Sequence, residues 1–236
     1  MIRYSVISEK NPREIVLLRG KGCCWRRCRF CDYHLDSSSD ISANYFLNRK
    51  ILQQVTGEFG KLEVINSGSF VDLDENTMKE IVSVCLKKKI SEVHFECHWM
   101  HRKSIEALKE FFSAKGITVK IKIGVETFDK KYREEYLCKG IDEENPETIA
   151  ELFDEVCLLQ GLPGQTVFQM RKDIETGLRF FERVCVNIMN ENSTSIHPDP
   201  EVIQKFLQEV APQFIKNNRV DILMNNTDYG VGGLDE

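Results

Sequence analysis

The run Ile15-Val-Leu-Leu-Arg-Gly20 leads directly into Gly22-Cys-Cys-Trp-Arg-Arg-Cys-Arg-Phe-Cys-Asp-Tyr-His34. The first stretch has the composition of a short buried strand. The second is a loop in which Cys24, Cys28 and Cys31 are spaced C-x3-C-x2-C. Parallel α/β proteins gather their chemistry at the carboxyl ends of strands, so a strand that ends in a ligand-rich loop points to that fold class. Three thiolates with no fourth at a matching interval can hold a cubane [4Fe–4S] cluster and leave one iron open to a small molecule. The rival is zinc, which closes with four Cys or His ligands, and His34 is near enough to be the fourth. The spacing favours the cluster, because zinc knuckles usually close with a second ligand pair at a set interval.

Outward from this loop, strand-like and helix-like segments alternate. After Ile15–Gly20, helical spacing covers Tyr45–Phe59 and Leu62–Ser67 reads as a strand. Asn76–Lys89 is a predicted helix with Asp74 or Asn76 as N-cap. Glu92–Cys97 is a strand, and Arg102–Lys115 is an amphipathic helix stopped by Gly116. Thr118–Thr127 alternates strictly, as a half-buried strand does. Helices are predicted over Asp129–Leu137 and Pro146–Phe153, then a strand over Glu155–Gln160 and a helix over Phe168–Glu182. Val184–Met189 is a strand, Pro200–Lys216 the last long helix, and Val220–Met224 a possible further strand. Six strand–helix units imply right-handed crossovers and a parallel sheet, and are too few to close an eight-unit barrel.

The 236 residues fit one domain, with 42% hydrophobic and 29% charged residues, an ordinary globular mix. No apolar run approaches the ~18 residues that span a bilayer, and Met-Ile-Arg-Tyr-Ser at the start has no signal-peptide core. A cytoplasmic protein is expected. Nine cysteines are an odd number for a disulfide scaffold. Cys85, Cys97, Cys138, Cys157 and Cys185 lie singly in apolar segments and read as small buried hydrophobes, with Cys23 outside the ligand spacing. The net charge of −5 favours a small-molecule substrate over nucleic acid, whose binders carry a basic face. Arg26-Arg27 and Lys87-Lys88-Lys89 are the local basic stretches, the second suited to a helix end.

The C-x3-C-x2-C loop, with Phe30 before its last cysteine, resembles the cluster motif of the radical S-adenosylmethionine (SAM) superfamily. That resemblance implies a (β/α)6 partial barrel, an open iron that chelates SAM, and a 5′-deoxyadenosyl radical that takes a hydrogen atom from the substrate. Asn66-Ser-Gly-Ser-Phe70, after the second strand, resembles the superfamily's Gly-rich segment that binds the SAM amino group; by itself it is equally an ordinary turn. Gly124-Val-Glu-Thr-Phe-Asp129 and Gln160-Gly-Leu-Pro-Gly-Gln-Thr166 resemble further segments of these enzymes. By that resemblance Phe30, Tyr33, Asn66, Ser67, Gly68, Ser69, Glu126, Gln160, Leu162 and Asn187 contact the cofactor. Lys139 either pairs with the SAM carboxylate or is a solvated surface lysine.

On the third strand, alternation puts Val93, Phe95 and Cys97 on one face and His94, Glu96 and His98 on the other. The polar face would line the lumen, where Glu96 needs a partner, either a substrate donor or a neighbouring histidine. His94, His98 and His101 also have a conceivable metal spacing, ranked below substrate contacts. Arg19 is a lumen candidate or a surface ion-pair residue. The tail Asn225–Glu236 is a frayed terminus or a lid that brings Asp228 and Tyr229 to the substrate; Asn226 and His197 are further polar candidates. Arg19–Asp36, Gly124–Asp129 and Gln160–Thr166 together resemble the salvage branch of the superfamily that splits a carbon–nitrogen bond of queuine and leaves preQ1. The implied partners are a 7-deazapurine base and a flavodoxin- or ferredoxin-like reductant, with neither nucleic acid nor membrane. Two other readings stay open: a radical SAM enzyme acting on tRNA or a peptide, and a non-catalytic iron–sulfur or zinc module.

Overall fold

The computed structural model describes residues 2–223; Asn226, Asp228, Tyr229 and the candidate lid lie outside the described residues. The chain divides into two compact units. Unit 1 comprises Met1–Cys24 and Tyr33–Lys122; unit 2 comprises Trp25–Asp32 and the chain from Ile123 onward.

Unit 1 contains β1 (Tyr4–Ile7), β2 (Arg13–Leu18), α1 (Ile41–Leu52), β3 (Lys61–Asn66), α2 (Glu75–Lys88), β4 (Glu92–Glu96), α3 (Ile105–Ser113) and most of β5 (Thr118–Glu126). Strand order follows chain order. β1 pairs antiparallel with β2, and β2 through β5 are parallel. β1 is the strand that the sequence reading missed, since four residues carry little pattern, although Asn11-Pro12, with Asn11 left-handed at φ 48°, marks the turn into β2. The apolar face of β4 meets the helices: the Phe95 and Phe112 rings pack edge-on at 5.4 Å. Burial of each such ring contributes about 1.5–3 kcal/mol.

Helix boundaries in unit 1 follow their caps. Asp40 accepts from the Ala43 amide (2.9 Å) and starts α1 four residues earlier than the apolar spacing suggested. α1 stops at Leu52, well short of the expected Phe59, before the left-handed Gly57. Asp74, not Asn76, caps α2 through the Thr77 amide (2.9 Å). α2 ends where Lys89 turns left-handed at φ 58°, after Lys87 and Lys88 in the last turn.

Unit 2 contains the end of β5, α4 (Pro146–Ala150), β6 (Glu155–Gln160), α5 (Val167–Phe180), β7 (Arg183–Ile188), α6 (Pro200–Lys205), α7 (Ala211–Phe214) and β8 (Val220–Leu223). β6, β7 and β8 are parallel in chain order. Gly177 lets α5 close on the sheet, because a Cβ there would meet Val184 at 2.8 Å and Val156 at 3.2 Å. Two expected helices contain π-turns, Tyr132–Tyr136 and Phe206–Val210. The second precedes Pro212, which has no N–H to continue the α ladder, so the predicted Pro200–Lys216 helix widens there.

Among the described residues the fold is therefore α/β with eight strands, mostly parallel, two more than six units require. Among the described residues, no helix is long and apolar enough to cross a membrane.

Candidate active site

Unit 1 holds Cys24. Its thiol donates to Asp72 Oδ1 at 3.7 Å. Desolvation first, and then the Asp72 charge, push the Cys24 pKa above the ordinary thiol value. Asp72 also organises the loop after β3. It accepts from the Ser69 amide (2.8 Å) in a capping box, and its carbonyl accepts from the Lys21 amide (3.0 Å). Gly68 is required there: a Cβ would sit 2.3 Å from Asp72 Oδ2 and 3.0 Å from the Cys23 nitrogen. The Cys23 amide donates to the Ser67 carbonyl (3.0 Å), so the two loops are laced together. Asp72 was missed at first, although Ser69-x-x-Asp72 is a readable capping-box signature.

The candidate cofactor residues of this unit are mostly occupied in that lacing. Ser67 Oγ donates to the Asp36 carbonyl (2.6 Å), and Tyr33 opens the short turn whose carbonyl receives the Asp36 amide (3.0 Å). Ser69 Oγ accepts from the His98 amide (2.9 Å). Asn66 Nδ2 donates to the Ser69 carbonyl (3.0 Å), while its buried Oδ1 has no protein partner among the described residues.

The expected polar face of β4 takes a different form. His94 is buried and its Nε2 lies 3.1 Å from Glu92 Oε1. Glu96, expected to meet a substrate donor or a neighbouring histidine, faces Lys122 Nζ at 3.4 Å. Lys122 also pairs with Glu63, and Glu63 with Arg13. The result is a chain of alternating charge, Arg13–Glu63–Lys122–Glu96, buried except at the Glu96 end, where the side chain is 26% exposed. Desolvated charges persist only when paired in this way. His98 Nδ1 accepts from the Met100 amide (3.2 Å) and caps the turn that follows. Arg19 is tied to α1, its Nε donating to Asn44 Oδ1 at 2.7 Å.

Unit 2 holds Cys28 and Cys31, packed on a buried apolar cluster of Phe30, Leu137, Leu159, Leu162, Met189 and Ile196. Phe30 and Leu162 are thus core residues of this unit. Asn192 Nδ2 anchors the Phe30 carbonyl (2.8 Å), and the Arg29 amide donates to the Leu137 carbonyl (3.0 Å). Lys139 is not a surface lysine. Its Nζ is buried, 2.6 Å from Glu126 Oε1 and 5.4 Å from the Phe30 ring centroid. Desolvation pulls its pKa down, but Glu126, Cys28 and Cys31 outweigh that pull and hold the ammonium well above the ordinary lysine range.

The backbone accommodates this pair at a cost. Glu126 sits at φ 68° and Cys138 at φ 56°, left-handed positions that are unfavourable for non-glycine residues and typical of functional sites. Gly124 leaves the room, since a Cβ there would meet Glu126 Oε1 at 2.7 Å and Lys139 Nζ at 3.0 Å. Cys138 is half-buried, unlike Cys85, Cys97, Cys157 and Cys185. Its carbonyl accepts from Trp25 Nε1 (2.8 Å).

Gln160 ends β6 fully buried, and neither side-chain atom has a protein partner among the described residues. The strand register puts Gln160 opposite Ile188, and Leu159 opposite Asn187. Gln160 and Asn187 therefore lie on opposite faces of the sheet. Asn187 is half-buried, its Oδ1 3.9 Å from Cys185 Sγ. His197 is exposed and pairs with Glu191.

Among the described residues, no three His, Cys, Asp or Glu side chains are gathered tightly enough for a metal ion, the His94–His98–His101 spacing included. The fit to a cluster and SAM therefore rests on the donor set. All three spaced cysteines are thiols rather than disulfides and none is fully buried. The orphaned Asn66 Oδ1 supplies a buried polar atom in need of a partner. These residues fit the group.

No family model matches the sequence. An uncharacterized protein of Methanocaldococcus jannaschii is 26% identical over 148 residues, 55% of this chain and 39% of that protein. The chain thus spans about two fifths of the length of the curated relative it matches. Among solved structures, the chain is similar to queuine lyase from Clostridium spiroforme, bound to SAM and queuine. The TM-score is 0.91 and the identity 42%, over 98% of this chain and 99% of the other. With that identity sustained across nearly all of both chains, this chain belongs to the radical SAM superfamily, in the queuine lyase family.

Proposed function

We propose that this protein is a radical SAM enzyme that cleaves the carbon–nitrogen bond of queuine and releases preQ1. The observation that carries this reading is the near end-to-end match to a solved queuine lyase at 42% identity. Cys24, Cys28 and Cys31 would hold the [4Fe–4S] cluster. When bound, cluster and SAM supply a 5′-deoxyadenosyl radical. We further propose that the chain acts as one domain and that six of its parallel strands form the (β/α)6 partial barrel of the superfamily.

The protein's own residues bind, orient and exclude water. Asp72 holds Cys24 and the loop after β3 in register. Lys139, kept protonated by Glu126, presents a fixed cation beside Cys28 and Cys31 and suits anionic groups there. Asn66, Ser67, Gly68, Ser69 and Asn187 are assigned to the cofactor; Gln160, on the sheet face that packs against α5 through Val156 and Val184, is not. Glu96 is assigned to the base: a deazaguanine edge presents adjacent N–H donors, and the Glu96 carboxylate, 3.4 Å from Lys122 Nζ and 26% exposed, can accept them. His94, paired with Glu92, is assigned to fixing the β4 wall rather than to direct contact. A flavodoxin- or ferredoxin-like carrier is the assigned electron source.

The test is anaerobic reconstitution followed by incubation with dithionite, SAM and queuine. Mass spectrometry should find preQ1 and 5′-deoxyadenosine together. Formation of 5′-deoxyadenosine without preQ1 would overturn the substrate, and a colourless zinc protein would overturn the chemistry.

A further inference from the structure

We propose that Gln169 and Asp173 are positioning residues, a clamp on α5 that fixes the Glu126–Lys139 pair. The inference rests on the radical SAM reading and deepens it, by naming what holds the buried cation of the site. All of these residues belong to unit 2.

The segment after β5 needs outside support. Glu126 ends the strand at φ 68°, and a left-handed non-glycine residue persists only where its surroundings over-determine it. The support comes from one face of α5, on which residues four apart are neighbours. Asp173 Oδ1 accepts from the Phe128 amide at 2.8 Å. One turn earlier on the helix, Gln169 Nε2 donates to Asp129 Oδ2 at 3.2 Å. Thr127 Oγ1 accepts from the Asp129 amide at 3.1 Å and closes the segment on itself.

The same clamp reaches Lys139. Asp129 Oδ1 accepts from the Tyr132 amide (3.0 Å) and its carbonyl from the Arg133 amide (2.8 Å), which starts the π-turn. The Arg133 carbonyl in turn accepts from the Lys139 amide at 3.1 Å. Asp173 thus holds the Glu126 side of the pair, and Gln169, through Asp129, holds the Lys139 side.

Both residues do more than the helix requires. Gln169 Oε1 serves the capping box by accepting from the Thr166 amide (3.1 Å), while its Nε2 is committed to Asp129. Asp173 is 4% exposed, and its Oδ2 has no hydrogen-bond partner among the described residues. A carboxylate desolvated in this way costs stability, which marks a positional role rather than a packing one.

The experiment uses full-length protein, both cluster-free and reconstituted. Asp173→Leu removes the acceptor and Asp173→Asn keeps one. Gln169→Glu keeps the capping acceptor but makes the Asp129 contact repulsive. In cluster-free protein, hydrogen exchange at amides 127–129 should speed up about tenfold or more in Asp173→Leu and Gln169→Glu, and stay within about threefold in Asp173→Asn. In reconstituted protein, SAM titrated against the cluster's paramagnetic resonance signal should show a Kd raised about tenfold in the first two variants and restored to within about threefold by Asp173→Asn. The KM for SAM should rise in step, while kcat at saturating SAM stays within about twofold. Gln169→Glu carries the test if Asp173→Leu does not fold, since Glu preserves the capping box.

Wild-type SAM affinity in folded Asp173→Leu and Gln169→Glu would overturn the proposal, whatever the exchange rates, and leave α5 a purely structural contact. So would an equal loss in Asp173→Asn, which would assign the effect to charge rather than to the held amide. Failure of the reconstituted wild-type protein to bind SAM would instead break the radical SAM reading, and the exchange rates alone would then decide the clamp.

Discussion

Each unit contains a lysine facing a glutamate, and the two pairs are built differently. In unit 2, Lys139 and Glu126 form a closed pair at 2.6 Å, with side chains 12% and 9% exposed. In unit 1, Lys122 and Glu96 meet at 3.4 Å, with Lys122 buried and Glu96 at 26%. Lys122 has a second carboxylate, Glu63, which Arg13 neutralises from the other side. The closed pair has spent its charge on itself and on the neighbouring cysteines. The open chain ends in a carboxylate with surface to spare. One arrangement suits a fixed electrostatic environment; the other suits a group that accepts hydrogen bonds from an incoming molecule.

The largest effect comes from removing the cysteines that Lys139 senses. Cys28→Ala/Cys31→Ala should abolish cluster incorporation, seen as loss of the brown absorbance, and lower 5′-deoxyadenosine formation by about a thousandfold or more, since removal of a metal ligand set removes its chemistry. The Arg13–Glu63–Lys122–Glu96 chain should be untouched, so near-ultraviolet circular dichroism should stay native.

Breaking the closed pair comes next. Glu126→Gln leaves Lys139 buried without its carboxylate and should cost about 3–5 kcal/mol in urea denaturation. A loss below about 1 kcal/mol would mean that the pair is solvated.

Asp173 sharpens the contrast, because it is a buried carboxylate held by the Phe128 amide (2.8 Å), with Lys172 the weakest of the influences on it. Burial pushes its pKa up to about 6, above the ordinary 3.8. The folded state therefore binds this proton more tightly than the unfolded state, and stability falls as pH rises from about 4 through about 6. Asp173→Asn should remove that slope and stabilise the protein by about 1–3 kcal/mol at pH 7, with the gain vanishing below pH 4. A larger gain at low pH than at neutral pH would reverse the assignment.

The smallest stability effect is expected at the open end. Glu96→Gln should change stability by less than about 1 kcal/mol, as partly exposed pairs do. It should lower queuine turnover by about tenfold or more while leaving cluster content and SAM binding intact. Unchanged turnover would remove Glu96 from the site.

Much of the architecture was legible from residue pattern. Strands β2 to β8 fall within a residue or two of their expected places, because alternation and β-branched runs report which side chains face a core. Helix ends were less legible. Asp40 sets α1 through the Ala43 amide, Asp74 sets α2 through the Thr77 amide and hydroxyl, and Pro212 widened the last helix, effects that apolar spacing does not contain. In the candidate site, the cysteine spacing was plain. The partners were not: Asp72 on Cys24, Glu126 on Lys139 and Lys122 on Glu96 join residues 48, 13 and 26 positions apart.

The sequence by itself determined the α/β order of elements, the three-thiol loop and the glycine-bearing segments at strand ends, because spacing along a chain is a local quantity. Tertiary structure alone decided which charges are buried and which partner each one has. It made Lys139, readable as a SAM-carboxylate partner or a surface lysine, a buried cation paired with Glu126, tied Arg19 to α1, and set Gln160 and Asn187 on opposite faces. The physical reason is desolvation. Whether a charged or polar group stabilises, costs or stays available for a ligand depends on what the fold brings within about 4 Å of it.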